Sequence, residues 1–361
     1  MKKILFAALA AAFLATGCQK TEIINRVGDS IGFSTELGKI TKASDANAEG
    51  MDNLKAQDFY VWAYNVADDP NTAVNDENQP YDNIIGIKIE DEGENWITNE
   101  GEYYWPGKGK ALKFFAVSGV QSKDAFVPVA TSNTASITGF IVDPSNPNTD
   151  LMVADFVQQT QEDSKKVMMN FRHALSKVQF LFHTTSTTEN VFVQNIVIKE
   201  LNNTGDLDMT VTGSDFNDKF QKEVTLTFKN QSGSVNYTAS GSTKPDGYPE
   251  KYFDVDGTEV TSGGNETAMK LSAKNQAGEA AVFSTWLMIP QTISEKEVEI
   301  TYLINNRQFK SIFALDNDGK LEKWAENQYI KYIVELSPNK ITFDANVEDW
   351  TKPSTDVDMV N

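Results

Sequence analysis

The chain has 361 residues, a formal net charge of −19, 40% hydrophobic and 11% aromatic residues, two histidines and one cysteine. That acidity argues against a nucleic-acid partner and against a basic membrane-binding face, while the apolar content is enough to bury cores. A single cysteine excludes an internal disulfide, and two histidines leave little material for a zinc site or a Cys-His pair, so no metal, cofactor or catalytic residue is expected.

Lys2 and Lys3 open the chain, followed by an apolar run from Ile4 to Leu14 that is too short to span a bilayer and by the small residues Ala15, Thr16 and Gly17. Residues 1–17 therefore read as an export signal. Cys18 stands where mature protein would begin, and the run ending Thr16-Gly17-Cys18 resembles a bacterial lipobox, with cleavage between Gly17 and Cys18 and diacylglycerol on the thiol. Ala15 departs from the large aliphatic residue usual there; Leu14 lies one step further back. Acyl chains on Cys18, at about 0.8 kcal/mol per buried methylene, would hold a precursor to the outer membrane. The alternative is an exported protein whose cysteine is incidental. Loss of residues 1–17 removes Lys2 and Lys3 and takes the net charge to −21. Residues 18–30 read as a tether.

Period-two alternation then recurs through the chain, whereas no long stretch keeps a helical apolar stripe, so the fold class is all-β. Val178, Phe180 and Phe182 share one face of a strand, with Leu181 on the other. Val224, Leu226 and Phe228 form a second such face, Val298, Ile300, Tyr302 and Ile304 a third, and Ile330, Tyr332, Val334 and Leu336 a fourth. Asp246-Gly247, Asp256-Gly257 and Asp318-Gly319 mark turns. Residues 68–82 and 240–266, polar and aperiodic, read as long loops.

Candidates for chemistry are few. Asp316 to Gly319 suggests a calcium loop, but aligning Gly319 with the loop glycine puts Ala314 and Ala325 at ligand positions, so a hairpin is expected. Glu90, Asp91, Glu92 and Glu94 read as a solvated turn rather than a cation site. His173 and His183 read as structural or surface residues. Trp62, Trp96, Trp105, Trp286, Trp324 and Trp350 raise the alternative of a sugar-stacking surface, although core packing is the simpler role.

Several phrases in fixed order resemble the fimbrillin family, subunits of the adhesive fimbriae (type V pili) of Bacteroidia. They are Ile31-Gly-Phe-Ser-Thr35 with Ile40-Thr-Lys-Ala43; Tyr104-Trp-Pro106 with Leu112-Lys-Phe-Phe-Ala116; and Asp150-Leu-Met-Val-Ala154 before Arg172-His-Ala-Leu-Ser-Lys-Val178. Leu287-Met-Ile-Pro-Gln291, Tyr329-Ile-Lys-Tyr332, Ile341-Thr-Phe343 and Val347-Glu-Asp-Trp350 follow. The resemblance implies two tandem transthyretin-like β-sandwich domains, over residues 31–187 and 188–361. It also implies a lipoprotein precursor from which an Arg- or Lys-specific protease removes a first strand, whose groove then accepts a strand from a neighbouring subunit. Here the leaving strand would be 31–37, with Ile31 and Phe33 inward and cleavage between Lys42 and Ala43. Arg26 is less suitable, because cutting there would leave the strand in place. The donor would be the C-terminal tail around Val357 and Met359, if residues 341–347 form an integral strand.

These readings give a non-enzymatic fimbrial subunit at the cell surface that mediates adhesion, with other fimbrial subunits as partners and a host or bacterial surface ligand as a further one. Stalk, tip or accessory, and anchor positions all stay open. The alternative is a cell-surface glycan-binding lipoprotein. Asp29-Ser30-Ile31 also resembles a short O-glycosylation motif, with Ser30 as acceptor.

Overall fold

A computed structural model of the chain describes residues 30–37, 45–66, 80–93, 95–98, 101–107, 110–120, 124, 126–128, 134–144, 149–162, 166–210, 221–222, 224–273 and 280–350. These are almost entirely strands, with one helix of 13 residues, α1 (Asp45–Gln57). The sequence shows no helical stripe there: among the described side chains of α1, Leu54 is fully buried, Met51 lies half-buried beside it, and Asp52 and Asn53 between them are polar.

The first sheet has nine strands in the order β14 (Gln221–Lys222), β9 (Phe156–Thr160), β5 (Ala111–Ser118), β2 (Phe59–Asn65), β3 (Pro80–Asp91), β4 (Trp96–Thr98), β1 (Gly32–Leu37), β10 (Lys166–His173) and β8 (Met152–Ala154). β8 also pairs with β5 through Val117↔Val153, so seven of these strands close on themselves as a barrel. Closure removes the unpaired edges an open sheet would carry. The bend of β3 needed for this falls at Gly86, which sits at φ +66° as the extra residue between Ile85 and Ile87 opposite Trp62 and Val61.

A second sheet, β15 (Thr225–Ser232), β13 (Thr204–Thr210), β7 (Thr134–Ile141) and β6 (Phe126–Pro128), lies over the barrel's outer face. Trp62, Phe115 and Val153 there meet Ile137, Leu207 and Leu226 in a shared core. This cover explains why β2 and β5 read as continuous apolar runs rather than alternating ones: both faces are buried.

The remaining strands form a sandwich. One layer is β20 (Ala281–Met288), β11 (Ser176–His183), β25 (Gln328–Ser337) and β26 (Lys340–Asp349). The other is β16 (Val235–Ser240), β12 (Val191–Leu201), β22 (Glu297–Ile304), β23 (Arg307–Ala314), β17 (Lys251–Phe253) and β18 (Glu259–Thr261), with β19 (Met269–Lys270) also on β12. A two-stranded ribbon, β21 (Gln291–Thr292) and β24 (Lys323–Trp324), completes it. The alternating faces read from sequence meet here: Val178, Phe180, Phe182, Ile300, Tyr302, Tyr332 and Val334 are all buried together. Residues 240–266 are not a plain loop. β17 and β18 pair within them, and Tyr248 and Tyr252 pack on Phe192 and Leu303; strands of three residues are too short to show a period.

The division at 187/188 does not coincide with the partition of strands among sheets. β11 precedes it yet pairs with β20 and β25, while β13 and β15 follow it yet pair with β7 and with each other.

Where β11 and β25 end, His183, Thr184, Glu335 and Ser337 are buried as one polar cluster. Thr185 Oγ1 donates to Glu335 Oε1 (2.9 Å) and Lys340 Nζ to Glu335 Oε2 (2.7 Å). Burial pushes the Glu335 carboxyl up, but the hydrogen bonds from Lys340, Thr185 and Ser337 outweigh it and hold the group below the ordinary glutamate value. Burial, helped by the Lys340 charge and opposed by Glu335, pushes His183 down. An unfolded His183 then binds a proton below pH ~6.5 that the folded one resists, so stability falls as pH drops through that window. Glu335 adds a second loss, beginning near its unfolded value of about 4.3. The urea midpoint should therefore decrease from pH 7.5 to pH 5.5. His183→Gln should flatten that decrease while leaving the loss below pH ~4.5 in place.

Candidate functional site

β1 is the first strand described and lies between two strands distant in sequence. It runs parallel to β10 in a six-residue register, from Gly32↔Lys166 to Leu37↔Phe171, and touches β4 only at Phe33↔Trp96. Ile31, Phe33 and Leu37 point into the barrel and are buried at 6%, 1% and 1% exposure. Phe33 meets Phe114 edge-on with ring centres 6.0 Å apart. Two polar ties complete the docking: Ile31 N donates to Tyr103 O (2.7 Å), and Trp96 Nε1 donates to Thr35 Oγ1 (2.8 Å). The two inward residues expected from sequence, Ile31 and Phe33, are thus joined by Leu37. The spacing 31, 33, 37 skips Thr35, which faces Trp96 and Met51 instead.

A second constellation lies where the chain leaves the barrel. His173 and Asp150 are both completely buried, with His173 Nδ1 2.8 Å from Asp150 Oδ2 in a close approach that is not aligned as a hydrogen bond. The His173 ring stacks on Trp350 with centroids 3.5 Å apart and planes within 8°. Sequence reasoning treated His173 as a lone structural or surface residue; nothing local pointed to a partner 177 positions away. Arg172 pairs with Asp155 (3.3 Å) and donates to Val224 O. The ammonium of Lys177, itself buried, lies 4.9 Å from the Tyr329 ring centre and 5.5 Å from that of Trp350.

The other sequence candidates fall as follows. Residues 341–347 are an integral strand: β26 pairs with β25 along its whole length, from Gln328↔Asp349 to Ser337↔Lys340. Gly17, Cys18, Arg26, Lys42, Ala43, Val357 and Met359 lie outside the described residues. Ser30 is exposed and bridges to Tyr104. Glu90 pairs with Lys88 (2.8 Å), which also holds Asp58 (2.9 Å), an ordinary surface arrangement. Trp62, Trp105, Trp286, Trp324 and Trp350 are buried and Trp96 is half-buried, so no indole among the described residues forms an exposed platform. No group of three or more acidic, histidine or cysteine side chains able to hold a metal ion is found among the described residues.

Comparison with known proteins adds the decisive observation: a family model described as fimbrillin-like matches residues 41–350. The chain belongs to the fimbrillin-like family. The match spans the barrel from α1 onwards and the whole sandwich, and β1 lies just ahead of it. A solved fimbrial protein from Bacteroides vulgatus is similar over 89% of this chain and 99% of its own, at 15% identity and a TM-score of 0.51. Identity that low establishes a shared fold. Candidate cell adhesion proteins from Bacteroides ovatus (14% identity, TM-score 0.47) and Bacteroides uniformis (14%, 0.42) each align over 90% of this chain and 99% of their own. None of the curated protein sequences matches this fimbrillin-like chain significantly.

Because Phe33 is the largest side chain that β1 contributes to the core, its truncation should leave a cavity that the closed barrel cannot collapse around. Phe33→Ala is expected to cost about 3–5 kcal/mol in urea unfolding. Truncation of the half-buried Ser34, on the opposite face of the same strand, should change stability by about 0.5 kcal/mol or less.

Proposed function

We propose that this fimbrillin-like chain is a non-catalytic subunit of a cell-surface fimbrium that mediates adhesion. In this reading it is exported as a lipoprotein held to the outer membrane through Cys18, and it joins other fimbrial subunits when β1 is cut away after Lys42 and replaced by a strand from a neighbour. The observation that carries the reading is the placement of β1. It fills the barrel core with three apolar side chains, has no hairpin partner, and is followed by lysines at positions 39 and 42. Cutting after Lys42 would leave it held by non-covalent contacts alone.

Magnitudes support an exchange rather than a simple loss. Burying each of Ile31, Phe33 and Leu37 contributes about 1.5–3 kcal/mol, a sum comparable with the whole stability of a typical domain at about 5–15 kcal/mol. An emptied groove would also bare the edges of β4 and β10, which invite another strand. With β26 integral, the candidate donor is the segment after Trp350, where Val357 and Met359 place apolar side chains at alternate positions. Stalk, tip and accessory positions are all compatible with this reading. The reading also includes two tandem transthyretin-like sandwich domains, at 31–187 and 188–361. Of the three large cores, one fills the barrel and one the sandwich, which supports two units, while the third joins residues from both, with β11 and the β13–β15 pair crossing between them. A glycan-binding lipoprotein is the lesser reading, since no exposed tryptophan face favours it.

Limited trypsin digestion of the mature protein, with fragment masses and SDS gels before and after, tests the mechanism. A fragment ending at Lys42 together with SDS-resistant oligomers is the expected result; Lys42→Gln should abolish that fragment, and Lys39→Gln with Lys42→Gln, which removes both lysines between β1 and α1, should abolish the oligomers. A protein that resists cutting at Lys42, or that loses β1 without accepting a synthetic strand peptide, would refute exchange.

A further inference from the structure

We propose that the buried His173–Trp350 stack couples the docking of β1 to the anchoring of the C-terminal end of β26, so that the two ends of the folded chain loosen together. The use of such coupling, freeing a donor only when an acceptor groove opens, rests on the exchange reading above; the coupling itself does not.

The path is short and made of direct contacts. β1 pairs with β10 up to Leu37↔Phe171, and His173 stands two residues further along the same strand. His173 is fixed from behind by Asp150, which has almost no freedom of its own. Asn53 Nδ2 of α1 donates to Asp150 Oδ2 (3.2 Å), and Asp150 N donates to Gln57 Oε1 (2.9 Å). At Gly119, φ +78°, a Cβ would lie 2.2 Å from Asp150 O, so the backbone of Asp150 fits against a position where only glycine can stand. α1 begins at Asp45, three positions after Lys42, and thus joins the same assembly from the other side of the candidate cut.

On the far side of the stack, Trp350 N donates to Asn327 O (2.8 Å) and Asn327 N donates to Leu175 O (3.1 Å). Trp350 is therefore clamped between the segment that follows β10 and the turn that precedes β25. Among the described residues β26 pairs with one strand, β25, up to Asp349, whose Oδ1 accepts from Asn327 Nδ2 (2.8 Å), and the indole just beyond carries this end into the core shared with the barrel. Residues 351–361 continue from that point. A close-packed interior of this kind transmits displacement instead of absorbing it. A change at Phe171 and His173 that unseats the ring face alters the state of Trp350, and thermodynamic reciprocity requires the reverse to hold with the same factor.

Hydrogen exchange read by mass spectrometry on the full mature chain, uncut, tests this. Leu37→Ala weakens β1 where it meets Phe171. It should speed exchange in residues 346–350 by about fivefold or more while exchange in β22 stays unchanged. Trp350→Ala should speed exchange in residues 31–37 as well, and Trp350→Phe, which keeps a ring, by less. If either alanine variant fails to fold, Leu37→Val and Trp350→Phe give the same comparison at smaller amplitude. The proposal is overturned if Leu37→Ala loosens residues 31–37 and 166–173 yet leaves 346–350 at the wild-type rate, or if Trp350→Ala loosens 346–350 yet leaves 31–37 at the wild-type rate. Neither protease cutting nor assembly enters the readout. A chain that shows the coupling but never polymerises would refute the exchange reading alone, and a chain that polymerises without coupling would refute this inference alone.

Discussion

The passage from β10 to β11 takes two residues, Ala174 and Leu175, and the organisation of the molecule depends on it. In that distance the chain leaves the barrel and enters the sandwich, so the four polar side chains around it, Arg172, His173, Ser176 and Lys177, are drawn into or against the interior. Burying such groups costs several kcal/mol each unless they are matched. Each has a counterpart: Arg172 has Asp155 and Val224 O, and His173 has Asp150 and the face of Trp350. Ser176 Oγ donates to Ala325 O, and Lys177 lies over two aromatic rings. These counterparts come from four separate stretches of the chain, around positions 150–155, 224, 325–329 and 350. The arrangement fits one assembly of the two halves and penalises others, because a slipped packing would strand a buried charge.

Asp155 does comparable work one strand away. It is the single residue between β8 and β9, and the kink there lets one continuous segment serve two neighbours, β5 along its length and β10 at its start. Its N donates to Asn170 O (2.9 Å); its carboxylate accepts from Asn170 Nδ2 (2.8 Å) and Val224 N (3.3 Å) and faces Arg172. Barrel closure, the attachment of the strand that leads into β15, and the junction with the sandwich thus share one buried acid. The closing contact of the barrel is therefore polar, although the interior it seals is apolar.

This distribution explains what the sequence disclosed. The sandwich strands declared themselves by alternation because each has one face in the core. β1 did so as well, through Ile31 and Phe33. β2 and β5 are buried on both faces, so their apolar runs gave a strand without a direction, and the β8–β5 pairing that closes the barrel hangs on a kink at Asp155 that has no periodic signature. α1 was hidden because one buried leucine does not make a stripe. His173 carried the one legible hint at the junction: a histidine, flanked by arginine and soon followed by lysine, in the middle of apolar strand sequence has to be satisfied by something. What it meets, the carboxylate of Asp150 and the face of Trp350, depends on long-range packing that brings position 350 to position 173.

β1 occupies a singular place in the described barrel because of connectivity. Its partner β10 is more than 130 positions away in the chain, and parallel pairing cannot be closed by a tight turn. Its contact with β4 is a single bridge, so no hairpin holds it on either side. The strand is retained by side-chain burial and the β10 ladder, and by one covalent connection through residues 38–44. Severing a connection of that kind elsewhere in the barrel would leave the strand attached at its other end. Under the exchange reading proposed above, severing it here would leave a segment held by non-covalent contacts, for which another chain presenting apolar residues at the same alternate positions would compete. On that proposal, ease of folding and ease of exchange would pull apart: the deeper Ile31, Phe33 and Leu37 sit, the more stable the uncut chain and the more a replacement strand would have to supply.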